Sequence, residues 1–225
     1  MTTTEKIQAF YRAMLDALGP QGWWPAETPF EVVVGAILTQ NTNWTNVERA
    51  IANLKREGLL DAEALEAIDV ERLGKVIRPA GYFRVKARRL KNVIHVLTEH
   101  FGGDLDTLFA LSTGSLRETV LGVKGIGPET ADSIVLYAAE RPVFVVDAYT
   151  ARILYRHALV DTDAAYDDLQ SLMAGALPDD VALLKEYHAL LVAVGKGYCK
   201  KRMPACTGCP LEPLLEDGQP VREVW

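Results

Sequence analysis

Three short stretches of this 225-residue chain gather residue types whose spacing could do chemistry. Residues 121–134, LGVKGIGPETADSI, place Gly122, Gly125 and Gly127 within six positions, with Lys124 among them. Glycine at that density marks backbone that something else approaches closely. The N–H groups of such a turn, helped by Lys124, could hold a phosphate; a plain helix hairpin closed by a glycine cap is the simpler alternative. Residues 143–147, VFVVD, end a hydrophobic run in Asp147, whose carboxylate should emerge from a core at a helix start. There it can cap the helix, hold charge for catalysis, or do both. The three cysteines, Cys199, Cys206 and Cys209, are spaced C-x6-C-x2-C. Such clustering favours metal or cluster ligation over disulfides.

A second set of residues carries aromatic and amide chemistry. Trp23, Trp24 and Pro25 are consecutive, and Trp44 follows the amides Gln40 and Asn41 in LTQNTNW. Indoles pack cores in many proteins, but their faces also stack on bases and attract cations. The net charge of −6 and the sequence pI near 5.3 are unlike a typical phosphate binder. Two local runs go the other way: FRVKARRLK, with Arg84, Lys86, Arg88, Arg89 and Lys91, and GKGYCKKR, with Lys196, Lys200, Lys201 and Arg202. Taken alone, each run reads as a solvated face. The four histidines, His95, His100, His157 and His188, show no metal spacing and are expected to be structural or exposed.

The elements that must position these residues are helical. Apolar residues recur at intervals of three and four, as in Ile7, Phe10, Tyr11, Met14 and Leu15, or Ala87, Leu90, Val93, Ile94 and Leu97. Breakers such as GPQGWWP, RPAGYF, FGGD and KGIGPE cut the chain into about ten helices. Only PVFVVDAYTARILY suggests a strand, and a buried helix start explains it equally well. The segment before the glycines, LSTGSLRETVL, reads as a helix, which disfavours a dinucleotide-binding strand–turn–helix. No apolar run approaches the roughly 18 residues of a membrane span, and the amphipathic, charged N-terminus is unlike a secretory signal. A cytoplasmic protein is expected.

The pair GVKGIGPETAD and VVDAYTARI resembles the helix-hairpin-helix plus Gly/Pro/Asp signature of the endonuclease III superfamily of DNA glycosylases. GAILTQNT resembles the family's helix whose Gln enters the DNA stack, and YCKKRMPACTGCP its iron–sulfur loop. The likeness runs from about residue 22 to 210. It implies an all-α, two-lobed helix-hairpin-helix glycosylase fold: a six-helix lobe over 22–140, and a second lobe joining 1–21 to 141–225 with the cysteine loop. It implies double-stranded DNA with damaged bases as partner, a monomer, and a bacterial cytoplasm. Asp147 becomes the acid that promotes base departure, Gln40 the residue that fills the gap with Asn41 beside it, and Gly122, Lys124, Gly125, Gly127, Lys200 and Lys201 the DNA contacts.

Members that also cut the backbone carry a Lys that forms a Schiff base. Glu129 stands at that position, which predicts a monofunctional enzyme using water. The set WWP, LTQNTNW, RPAGYFRVKARRL, KGIGPETAD and VVDAY looks most like the 3-methyladenine branch. Stacking then falls on Trp24 and Trp44, with Trp23 and Pro25 lining the site. Two rival readings remain: a bifunctional glycosylase and lyase for oxidised pyrimidines, and a DNA-binding protein without catalysis.

In the family the cysteine spacing continues with a fourth Cys that completes a [4Fe–4S] cluster. That position is Leu215 here, so the resemblance calls for another ligand. Asp217 is the expected one, with Glu212 and Glu216 also near in sequence. A three-iron cluster, a zinc site and a metal-free loop compete with the cubane.

Overall fold

The computed structural model describes residues 1–221, and among them every regular element is helical. In chain order the helices are α1 (Thr3–Leu18), α2 (Pro29–Thr39), α3 (Trp44–Arg56), α4 (Ala62–Ala67), α5 (Val70–Val76), α6 (Phe83–Phe101), α7 (Leu105–Phe109), α8 (Thr113–Leu121), α9 (Pro128–Ser133), α10 (Ala148–Arg156), α11 (Tyr166–Ala176) and α12 (Val181–Gly197). Their starts follow the capping chemistry of the sequence. Thr28 accepts from Glu31 N ahead of Pro29, and Asn43 accepts from Asn46 N ahead of Trp44. The segment that suggested a strand is extended only to Asp147, where α10 begins.

The chain divides into two compact units, Trp24–Arg141 and Met1–Trp23 together with the chain from Pro142. In the first, α6 packs against α2, α4 and α5. Its buried stripe is Ala87, Leu90, Val93, Ile94 and Leu97. Helix α2 is buried around most of its circumference, from Glu31 to Leu38, which explains its nearly unbroken apolar run. Helix α9 continues directly into a π-helical turn at Ile134–Ala138.

In the second unit, Ile7, Phe10 and Met14 of α1 are fully buried, and α1 packs on α11 and α12. Each such side chain contributes about 1.5–3 kcal/mol by leaving water. Tyr187 Oη adds a hydrogen bond of 2.7 Å to Ile7 O. Helices α10 and α12 meet where Gly195 faces Tyr149; a Cβ at 195 would stand 2.3 Å from the ring's Cδ1. Close approach of the two helices therefore requires glycine at that point.

Candidate nucleic-acid site

The glycine turn joins α8 to α9. Gly125 has φ +98°, a conformation that favours glycine, and the space beside it is filled by the stem of Arg89. At Gly127 the space beside the backbone is open. Asn92 of α6 donates from Nδ2 to Lys124 O at 2.9 Å, which fixes the turn's backbone while Lys124 itself stays exposed. The turn is thus a built loop held from one side by α6. Glu129 is exposed in the first turn of α9, and its carbonyl accepts from Ser133 Oγ at 2.7 Å.

Gln40, at the end of α2, lies against this turn: its Nε2 donates to Thr130 Oγ1 at 3.0 Å. Asn41, next in the chain, is exposed with φ +53°. Below them Lys86 is 1% exposed, and its ammonium donates to Leu38 O at 2.8 Å and Ala80 O at 2.7 Å. Burial, with a smaller effect from Arg89, pulls its pKa down to about 8. This lysine was part of a run that the sequence suggested was solvated; instead it ties two helix ends together. Tyr82, just beyond the Ala80 tie, is 71% exposed with φ +43°. An aromatic residue in the left-handed region costs roughly 1–3 kcal/mol, and such strain clusters at functional positions.

Trp24 forms the centre of an aromatic group. Its ring is 5.2 Å from Trp44, nearly perpendicular at 86°, and 5.1 Å from Tyr137. Gly35 of α2 makes room for it, since a Cβ there would come within 3.3 Å of the indole nitrogen. Trp44 Nε1 donates to Glu48 Oε1 at 2.8 Å. Tyr137 was not singled out by its sequence position; the π turn aims it at Trp24, and such turns frequently mark functional sites. Of the other expected pocket residues, Pro25 is exposed in this unit. Trp23 belongs to the unit of the two termini, where Lys196 Nζ lies 5.6 Å from its ring centre.

Asp147 is the N-cap of α10. Its Oδ1 accepts from Thr150 N at 2.7 Å and Thr150 Oγ1 at 3.0 Å. Its Oδ2 faces His188 Nε2 of α12 at 3.7 Å, and both side chains are almost buried. Burial pushes the carboxyl up, but the His188 imidazole and the Thr150 donors outweigh it and hold Asp147 below the usual carboxylate range. One oxygen thus caps the helix while the other faces His188. His188 is structural only in the sense that it is buried; it is also the neighbour that sustains this charge.

The cysteine loop follows α12. Cys199, Cys206 and Cys209 line one cavity with Arg156, His157, Glu212 and Leu215, of about 330 Å3 empty volume. Arg156 Nη1 lies 3.1 Å from Cys199 Sγ and donates to Lys200 O, while Nη2 donates to Lys201 O. These bonds fix the backbone of Lys200 and Lys201 and leave both side chains exposed. Burial raises the pKa of Cys209, and the neighbouring Cys206 and Cys199 also raise it, so the thiolate form calls for a cation. Among the described residues no three ligating side chains converge on a single ion. A cubane makes no such demand, because each iron takes its own thiolate. Cys199, Cys206 and Cys209 around one cavity are the thiol donors that such a group would use. Asp217, the expected fourth ligand, is exposed on a turn with φ +50°, whereas Glu212 lines the cavity.

Comparison with known proteins bears on the fold and the family. A candidate DNA repair glycosylase of Methanocaldococcus jannaschii is 47% identical over 215 residues, spanning 92% of this chain and 94% of the relative. The Helicobacter pylori 3-methyladenine DNA glycosylase bound to 1,N6-ethenoadenine is 27% identical, with a TM-score of 0.74 over 87% of this chain and 98% of that one. The trapped endonuclease III–DNA covalent intermediate, at 21% identity, shares the fold with a TM-score of 0.81 over 97% and 98% of the two chains. Residues 34–178, more than half of the sequence, match the HhH-GPD superfamily of base excision DNA repair proteins, and the chain belongs to that family.

Proposed function

We propose that this base-excision DNA glycosylase removes alkylated purines such as 3-methyladenine from double-stranded DNA, with water as the attacking group. The observation that carries the reading is the aromatic group of Trp24, Trp44 and Tyr137. Indole faces suit a flipped base bearing positive charge, with cation–π attraction of roughly 0.5–2 kcal/mol. Such a base is already a good leaving group, so an acid to protonate it is not required. The H. pylori relative, named for 3-methyladenine, supports the same branch.

Asp147 acts on the sugar side. As the N-glycosidic bond breaks, positive charge develops on the deoxyribose, and a carboxylate held ionised by Thr150 and His188 stabilises it. The same oxygen can take a proton from the incoming water. Glu129 cannot form an imine. Lys86, the amine with a lowered pKa, is buried and already donates to two carbonyls, so it does not replace the missing nucleophile. Gln40 and Asn41 enter or border the gap in the duplex, and the glycine turn with Lys124 holds a backbone phosphate. Cys199, Cys206 and Cys209 would hold a [4Fe–4S] cluster, with Glu212 the carboxylate available as fourth ligand. When bound, the cluster would supply a rigid crosslink of the loop that presents Lys196, Lys200, Lys201 and Arg202 to phosphates.

The test is a panel of duplexes with alkylated, oxidised or mismatched bases, scoring base release separately from strand cutting. Release from the alkylated duplex without cutting, lost in Asp147→Asn, is expected. A covalent adduct trapped by borohydride would instead establish the bifunctional reading. No release from any duplex would leave a DNA-binding protein without catalysis.

A further inference from the structure

Gln40 and the glycine turn are joined through a residue to which neither role assigns a part. Arg89 of α6 donates from Nη1 to Gln40 Oε1. The other end of the same amide donates from Nε2 to Thr130 Oγ1 at 3.0 Å and reaches Gly125 O at 3.4 Å. Both ends of the Gln40 side chain are therefore engaged within the protein. Arg89 itself packs against Gly125: a Cβ there would stand 2.6 Å from Arg89 Cγ, 3.1 Å from Nε and 3.2 Å from Cδ. The glycine conformation thus brings a guanidinium onto the turn, one helical turn from the Asn92 bond to Lys124 O.

The acceptor that holds Arg89 is a neutral amide oxygen. A phosphate is a stronger acceptor for a guanidinium, because the bond is charge-assisted and can be bidentate. An amide that moves into a base stack must also give up its partners in the protein. That departure would leave a half-buried cation without its acceptor unless an anion arrives.

We propose that Arg89 is a positioning residue that exchanges Gln40 for a backbone phosphate. In the free protein it parks the Gln40 amide against the turn. On duplex DNA the guanidinium passes to a phosphate at the turn as the Gln40 side chain leaves, so insertion is conditional on a seated phosphate. The inference rests on the DNA roles proposed above for Gln40 and the turn.

Salt dependence separates the possibilities. Affinity for a fluorescein-labelled undamaged duplex is measured between 50 and 200 mM KCl for the wild type, Arg89→Met, Arg89→Gln, Gln40→Ala and the double variant Arg89→Met/Gln40→Ala. Each neutralised phosphate contributes about 0.9 to the slope of log affinity against log salt. Exchange predicts that both Arg89 variants lose about one such increment. The wild-type advantage over them then shrinks about 3.5-fold across the range. Gln40→Ala keeps the wild-type slope, because Arg89 still reaches its phosphate, and the double variant matches Arg89→Met. Wild-type slopes in both Arg89 variants would overturn the exchange, as would a loss of slope in Gln40→Ala. Cooperative melting identifies the folded variants, and either Arg89 substitution suffices. A wild-type affinity that is flat with salt would remove the DNA reading itself, a different failure from equal steep slopes.

Discussion

Asp147 shows how much one carboxylate depends on its neighbours. Its lowered pKa survives burial because His188 and Thr150 act against it. Replacing His188 with Leu removes the largest of the lowering influences, so the carboxyl titrates at higher pH. The acid limb of base release against pH should move up in His188→Leu, while the rate well above that limb is less affected; an unmoved limb would show that His188 only fills space. Asp147 itself was legible in the sequence, because an acid closing four hydrophobic residues has few places to go. His188 was not, since its meaning comes from α12 lying beside the start of α10, a contact that no local spacing encodes. Arg89 and Tyr137 were hidden for the same reason, one inside a basic run and the other within an apolar one.

At the scale of elements, apolar periodicity revealed the long helices well. Two of the shortest, α4 and α7, each bury one leucine, too little pattern to stand out, and the described residues form twelve α-helices where about ten were expected. The end of α2 and the turn before α6 gave no hint that one lysine joins them. That lysine makes a prediction. Lys86 has a folded pKa near 8 against 10.5 for the ordinary group, so the unfolded chain binds more protons between those values. Its burial penalty is present in full below pH 8 and is relieved as pH rises toward 10.5. The difference in thermal midpoint between the wild type and Lys86→Met should therefore shift in favour of the wild type over that window. A difference that stays constant with pH would mean that the amine titrates alike in the folded and the unfolded chain.

For the whole molecule, an acidic total conceals local cationic surfaces. Lys200 and Lys201 stay exposed while Arg156 fixes the backbone beneath them. The cysteine loop beside them should carry iron. Protein purified without air should contain iron and acid-labile sulfide with visible absorbance, and Cys206→Ser should lose both. Chelation should also increase protease cleavage of residues 199–215. A protein that takes up zinc but no iron on reconstitution would replace the cluster with a mononuclear site.

The π turn at Ile134–Ala138 amounts to one extra residue in a continuous helical run. Such an insertion changes which way the following side chains face without changing their identity. Removing one residue would rewind the turn and carry Tyr137 about 100° around the axis, off the face that meets Trp24. With the aromatic group in its proposed role, base preference would be adjustable by length as well as by substitution, and an alignment that counts only matched residues would overlook the change.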